Sequence, residues 1–164
     1  MTAAYLVARN GANVYVRAQG LANMKNAPFL DAFVRHEMQS PIATLCVDLS
    51  SCTGMDSTFM GLLVGTASML GITGGKVVVV NPTEAGLKLL AMLGITEVLP
   101  VVSGCELPDL QFIDLDTQAT GTVARLEVIR RAHQSLSALN ESNRAKFAAF
   151  LTALEADLAK QPIR

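Results

Sequence analysis

Apolar residues recur along the chain with two periods that exchange several times. Two short runs, residues 3–9 and 13–18, flank Asn10 and Gly11, a pair that tolerates the positive φ of a tight turn, and together they predict an N-terminal β-hairpin. Pro28 suits the first turn of a helix, and Phe29, Leu30, Phe33, Val34 and Met38 follow at helical spacing, stopping before Ser40 and Pro41. Residues 44–49 read as a strand, 50–55 as a connection, and Asp56 and Ser57 as the entrance to a long apolar helix over 59–72. Four consecutive valines after Lys76 predict an internal strand covered on both faces, as in a parallel or mixed sheet. Asn81, Pro82 and Glu84 supply a cap, a first-turn proline and a capping-box acid for a helix with Leu87, Leu90 and Leu93 on its apolar face. Gly94 can end that helix in a left-handed conformation, and residues 98–102 read as the next strand. The pattern is a hairpin followed by alternating helices and strands, an α/β fold.

The composition changes after Asp116. Residues 117–122 read as a linker, and two apolar stripes follow: Val123, Leu126, Ile129 and Leu136, then Phe147, Phe150, Leu151, Leu154 and Leu158, separated by residues 140–143. They predict an antiparallel helical hairpin and divide the chain into an α/β domain at 1–116 and a helical extension at 117–164. Such stripes serve to cover the body's sheet or a second copy, the latter giving a homodimer through the C-terminal helices.

A length of 164 residues suffices for one domain with an appendage, and 51% apolar against 16% charged residues excludes intrinsic disorder. Aromatics at 5% argue against a stacking platform for single-stranded nucleic acid. The net charge of −1 argues against a dominant phosphate-backbone binder, although residues 1–120 carry −4 and residues 121–164 carry +3. The longest apolar region, 59–72, is shorter than a bilayer crossing and contains Gly61, Gly65 and Gly71, so it reads as a buried helix with no role in a membrane. The N-terminus lacks the pattern of a secretory signal, and the odd set Cys46, Cys52 and Cys105 lacks metal-ligand spacing. Reduced thiols in the cytoplasm follow as the expectation.

Little in the sequence suggests catalysis. The histidines, His36 and His133, each fall in an amphipathic helix without a companion motif, and read as solvated or packing residues. Gly71, Gly74, Gly75 and Lys76 run from helix to strand, whereas a phosphate-binding loop runs from strand to helix. The informative segment is residues 48–65, DLSSCTGMDSTFMGLLVG, which sets Ser57 and Thr58 behind the acidic cap Asp56 at a helix entrance. Asp56 is placed to accept a backbone N–H there, and the free amides of the first turn suit an anion attached to Ser57. Both hydroxyls are expected at the surface.

These residues resemble the STAS family, named for sulphate transporters and anti-sigma factor antagonists, and within it the bacterial anti-sigma factor antagonist branch. The resemblance rests on DLS at residues 48–50, MDST at 55–58, Gly61 and Gly65, the valine strand entering Asn81 and Pro82, and LLAMLGI at 89–95, and it spans roughly residues 1–102. It implies a STAS-like mixed β-sheet with Ser57 as phosphoacceptor and a surface including Asn23, Asp48, Asp56, Thr58 and Phe59 for partners. The implied partners are an anti-sigma factor serine kinase, bound when Ser57 is unphosphorylated and released when it is phosphorylated, and a metal-dependent serine phosphatase that resets the switch. The chain itself would be the substrate, with no cofactor or metal of its own and no enzymatic activity. Two positions depart from the family pattern: Phe59 stands where glycine is common, as a packed residue or an exposed apolar anchor, and Asn23 stands where an acid is common. The alternative is a constitutive scaffold or sensory assembly module that keeps the fold and makes contacts through Phe59 and the tail.

Overall fold

The computed structural model describes residues 4–115 and 121–162. Their elements run β1 (Tyr5–Asn10), β2 (Asn13–Ala22), α1 (Ala27–Glu37), β3 (Thr44–Met55), α2 (Ser57–Gly71), β4 (Lys76–Val80), α3 (Glu84–Met92), a 3-10 turn (Ile95–Glu97), β5 (Val101–Val102), β6 (Ile113–Asp114), α4 (Thr122–Leu139) and α5 (Glu141–Ala159). The strands form one mixed sheet in the order β5-β4-β3-β2-β1-β6. Both neighbours of β1 are antiparallel to it, and every other pairing is parallel. Leu45, Cys46, Val47, Asp48 and Leu49 are consecutive and all buried, so both faces of central β3 are covered, since successive side chains point to opposite sides. The helical extension forms the predicted hairpin of α4 and α5.

The structure redraws several predicted boundaries. Gly11 alone takes the positive φ of the first turn, +61°, while Asn10 stays in β1 paired with Asn13. Residue 3, where the first strand was expected to begin, lies outside the described residues. So do residues 117–120 of the expected linker, with the domain boundary placed there. Residues 50–55 are not a connection but the second half of β3. They pair with an extended β2 through two register shifts, between Arg17 and Gln19 and between Gly20 and Leu21, with Gly20 at φ +70°. Thr83, not Asn81, caps α3 by accepting from the Gly86 N–H. Asn81 instead holds a positive φ of 55° and exchanges two hydrogen bonds with the Cys105 backbone. Leu90 is buried on α3 while Leu87 is exposed. The strand expected over 98–102 shrinks to Val101–Val102, because the 3-10 turn after Gly94 uses the preceding residues. β6 has no counterpart in the sequence prediction. Between α4 and α5 only Asn140 intervenes, capping α5 by accepting from the Asn143 N–H.

Where the hairpin was expected to cover the sheet, α4 instead covers α2. Gly61 has no room for a side chain: a Cβ there would lie 2.2 Å from the Ala132 carbonyl oxygen on α4. One turn later, a Cβ on Gly65 would come 2.9 Å from the Ser135 Oγ. The two glycines, four residues apart on one helix face, let the backbones of α2 and α4 touch. Gly61→Ala accordingly lowers stability by about 1–3 kcal/mol, the range for overpacking a tight contact. Gly71→Ala places its methyl in open space and is neutral or stabilising by up to ~1 kcal/mol; urea denaturation of both variants checks the contrast.

Candidate functional site

Where β3 ends, the Asp56 N–H donates to the Ala22 carbonyl, and the chain turns into α2. The Asp56 side chain sits at the N-cap and uses both oxygens: Oδ1 accepts from the Phe59 N–H at 3.0 Å, and Oδ2 accepts from the Met24 N–H at 2.8 Å. One carboxylate thereby fastens the start of α2 to the turn between β2 and α1. The turn is braced within itself. Asn26 Oδ1 accepts from the Tyr5 hydroxyl and the Asn23 N–H, Asn26 Nδ2 donates to the Leu21 carbonyl, and Asn23 Oδ1 accepts from the Lys25 N–H.

Ser57 is the first residue of α2 and is half-buried. Its Oγ lies 2.8 Å from Nε2 of His133 on α4. The other ring nitrogen, Nδ1, lies 2.8 Å from the Ile129 carbonyl oxygen, which can only accept. Nδ1 therefore carries the proton in the neutral ring, Nε2 is an acceptor, and Ser57 donates its hydroxyl proton to it. The imidazole is 2% exposed, with Phe147 at 5.1 Å edge-on and Phe150 at 4.5 Å between ring centroids. Burial holds its pKa below the ordinary 6.5, against smaller opposing effects of the Ile129 carbonyl and Asp56.

Of the residues implied for partner binding, Asn23, Asp56 and Ser57 converge here and are half-buried. Thr58, Phe59 and Asp48 are buried, which corrects the expectation of an exposed Thr58 and leaves Phe59 no role as a surface anchor. Phe59 stacks on Tyr5 with centroids 6.4 Å apart, filling core volume that a glycine would leave empty. Asp48 accepts from Arg17 at 3.0 Å and from the Ser50 N–H, bracing β2 and β3. Sequence reasoning gave His133 no part in the site. The available signal was its place on the apolar stripe of α4, four residues after Ile129 and three before Leu136, where a polar ring requires partners. Arg131 of α4 pairs with buried Asp31 of α1 at 3.1 Å.

Burial pushes the Cys46 thiol up to about 11 and raises that of Cys52, so both stay protonated and inert. Among the described residues, no group of three or more His, Cys, Asp or Glu side chains could hold a metal ion, and no helix is long and apolar enough to cross a membrane.

A family model described as STAS domain matches residues 5–106. Among solved structures, the anti-sigma factor antagonist SpoIIAA in its unphosphorylated form is similar, with a TM-score of 0.58 and 19% identity, covering 63% of this chain and 90% of its own. The Bacillus cell fate determinant SpoIIAA in its phosphorylated form gives 0.55 and 19%, covering 63% and 93%. TM1081 of Thermotoga maritima gives 0.56 and 18%, covering 60% and 85%. At these identities the likeness is one of fold. No match was found among curated proteins.

The lowered pKa of His133 has a definite sign in solution. Its ring takes a proton more readily in the unfolded chain, so the stability it contributes is complete above the ordinary value of 6.5 and is lost as pH falls through that value toward the lower folded one. Denaturation midpoints should fall between pH 7.5 and 5, about the ordinary histidine pKa, and His133→Gln should flatten that decline.

Proposed function

Because this chain belongs to the STAS domain family, we propose that it is a protein-interaction module of the anti-sigma factor antagonist kind, switched by phosphorylation of Ser57. Its partner is an anti-sigma factor serine kinase, which it binds when Ser57 is unmodified and leaves when Ser57 is phosphorylated. A metal-dependent serine phosphatase restores the hydroxyl. The chain is a cytoplasmic substrate in this cycle, and the kinase brings the nucleotide and magnesium.

The observation that carries this reading is the placement of Ser57. It is the first residue of a 15-residue helix, directly behind the Asp56 cap and beside the Asn23–Asn26 turn that the same carboxylate anchors. Phosphorylation forms a bond from Ser57 Oγ to the γ-phosphorus as the bond to the nucleoside diphosphate breaks, and the serine proton passes to the kinase's carboxylate. The product carries about −1.5 to −2 charges where a neutral hydroxyl stood. In a close interface that charge must be paired or hydrated, and an unpaired buried charge costs several kcal/mol, enough to lower affinity many-fold. The neighbouring Asp56 carboxylate adds like-charge repulsion. One modified atom can thus dismiss a partner while the sheet stays as it is. SpoIIAA has been solved in both phosphorylated and unphosphorylated forms, in agreement with such a cycle on this fold.

Phosphopeptide mapping of the chain from its own cells should find Ser57 modified. A pull-down with Ser57→Asp should recover its main partner at least about tenfold less than wild type. Equal recovery together with an unmodified Ser57 would overturn the switch.

A further inference from the structure

We propose that the α4–α5 hairpin is a detachable cap on Ser57: docked, it withholds the hydroxyl from a phosphoryl donor, and it must leave before Ser57 can be phosphorylated. The proposal rests on the reading of Ser57 as phosphoacceptor.

The docked hairpin obstructs phosphorylation by both its bulk and its chemistry. A phosphoryl donor must bring its phosphorus within about 3–3.5 Å of Oγ, in line with the bond that breaks. His133 Nε2 already lies 2.8 Å from that oxygen, and the imidazole is backed by Phe147 and Phe150 of α5. The phosphorylated side chain would carry three further oxygens and nearly two negative charges into this contact. There it would face the crowded His133 ring, backed by Phe147 and Phe150, and the like charge of Asp56. Docked hairpin and phosphorylated serine exclude one another, and by linkage each disfavours the other equally.

The hairpin is also held in a way that permits release. The continuous apolar core of the body reaches into the buried residues of α4 only at Leu136, whereas Val128, Ile129 and Ala132, buried on the same helix, lie outside it. Leu139 and Phe147 add partly buried packing against that core and Ala132 abuts Gly61, but several other attachments are polar and exchangeable with water. Arg131 donates to Asp31, Asn140 and Asn143 both donate to the Leu93 carbonyl at 3.2 and 2.9 Å, and Ser57 donates to His133. Along the seam of α1, α2 and α4 runs a groove of about 370 Å³, lined by Asp31, Leu62, Gly65, Val128 and Ala132 among others. The STAS match ends at residue 106, so what detaches is the addition to the family domain.

The test uses the full chain with Ser57→Cys, alkylated with iodoacetamide and read peptide by peptide by mass spectrometry. A locked form adds Gly65→Cys and Ser135→Cys, since a Cβ on Gly65 stands 3.7 Å from the Ser135 Cβ, within the roughly 3.5–4.5 Å of natural disulfides. A loosened form adds Arg131→Ala and Asn143→Ala, which remove two attachments away from Ser57 and leave Asp31 paired with Arg35. Alkylation of the thiol introduced at position 57 should be about tenfold slower in the locked form, recover on reduction, and be about tenfold faster in the loosened form. Equal rates in all three overturn the cap. Phosphopeptide mapping of the serine-bearing chain separates the two proposals: graded access without phosphorylation retains the cap and removes the switch, and phosphorylation with equal access does the reverse.

Discussion

The contact between Gly61 and the backbone of Ala132 is the constraint on which the site depends. A hydrogen in place of a side chain lets α4 lie against α2 at backbone distance. Ser57, Gly61 and Gly65 share one stripe of α2, four residues apart, and α4 meets the three with His133, Ala132 and Ser135 in turn. The register that brings the imidazole to the serine is therefore set by glycine, two positions where nothing polar is at stake. A side chain at Gly61, facing the Ala132 backbone, would tilt or lift α4, and with it the acceptor of the serine proton.

The other end of the site is fixed by Asp56. Its two oxygens satisfy one amide of the helix start and one of the β2–α1 turn, so two segments that are remote in sequence are held at a common edge. The carboxylate also meets the positive end of α2, which lessens the attraction that this end would offer another anion. A phosphate on Ser57 consequently gains little from the fold itself. Its effect is outward, on whatever packs against this edge, and that includes the chain's own α4 and α5.

Much of the body was legible because its signals are local. The valine run, Asp56 as helix cap, Gly94 at φ +78° and the two C-terminal stripes each specify structure within a few residues. What the sequence hid depends on pairing. Residues 50–55 look like a loop until β2 extends beside them, with register shifts no periodicity encodes. Phe59 is ambiguous until Tyr5 is seen stacked on it. Asp48 belongs to a motif whose resemblance suggests a surface role, yet Arg17 and the Ser50 amide use it internally. His133 is 76 residues from its serine, and its meaning arises only when α4 is laid on α2. The Gly61–Gly65 spacing likewise shows its purpose only when α4 is laid on α2.

A single residue, Asn140, joins helices of 18 and 19 residues, and it is itself the cap of the second. So short a link leaves the pair little freedom to bend independently, and α5 shows most of its length to solvent. Any displacement of α5 would therefore be passed to α4 and to the imidazole it carries, at a distance from the serine itself.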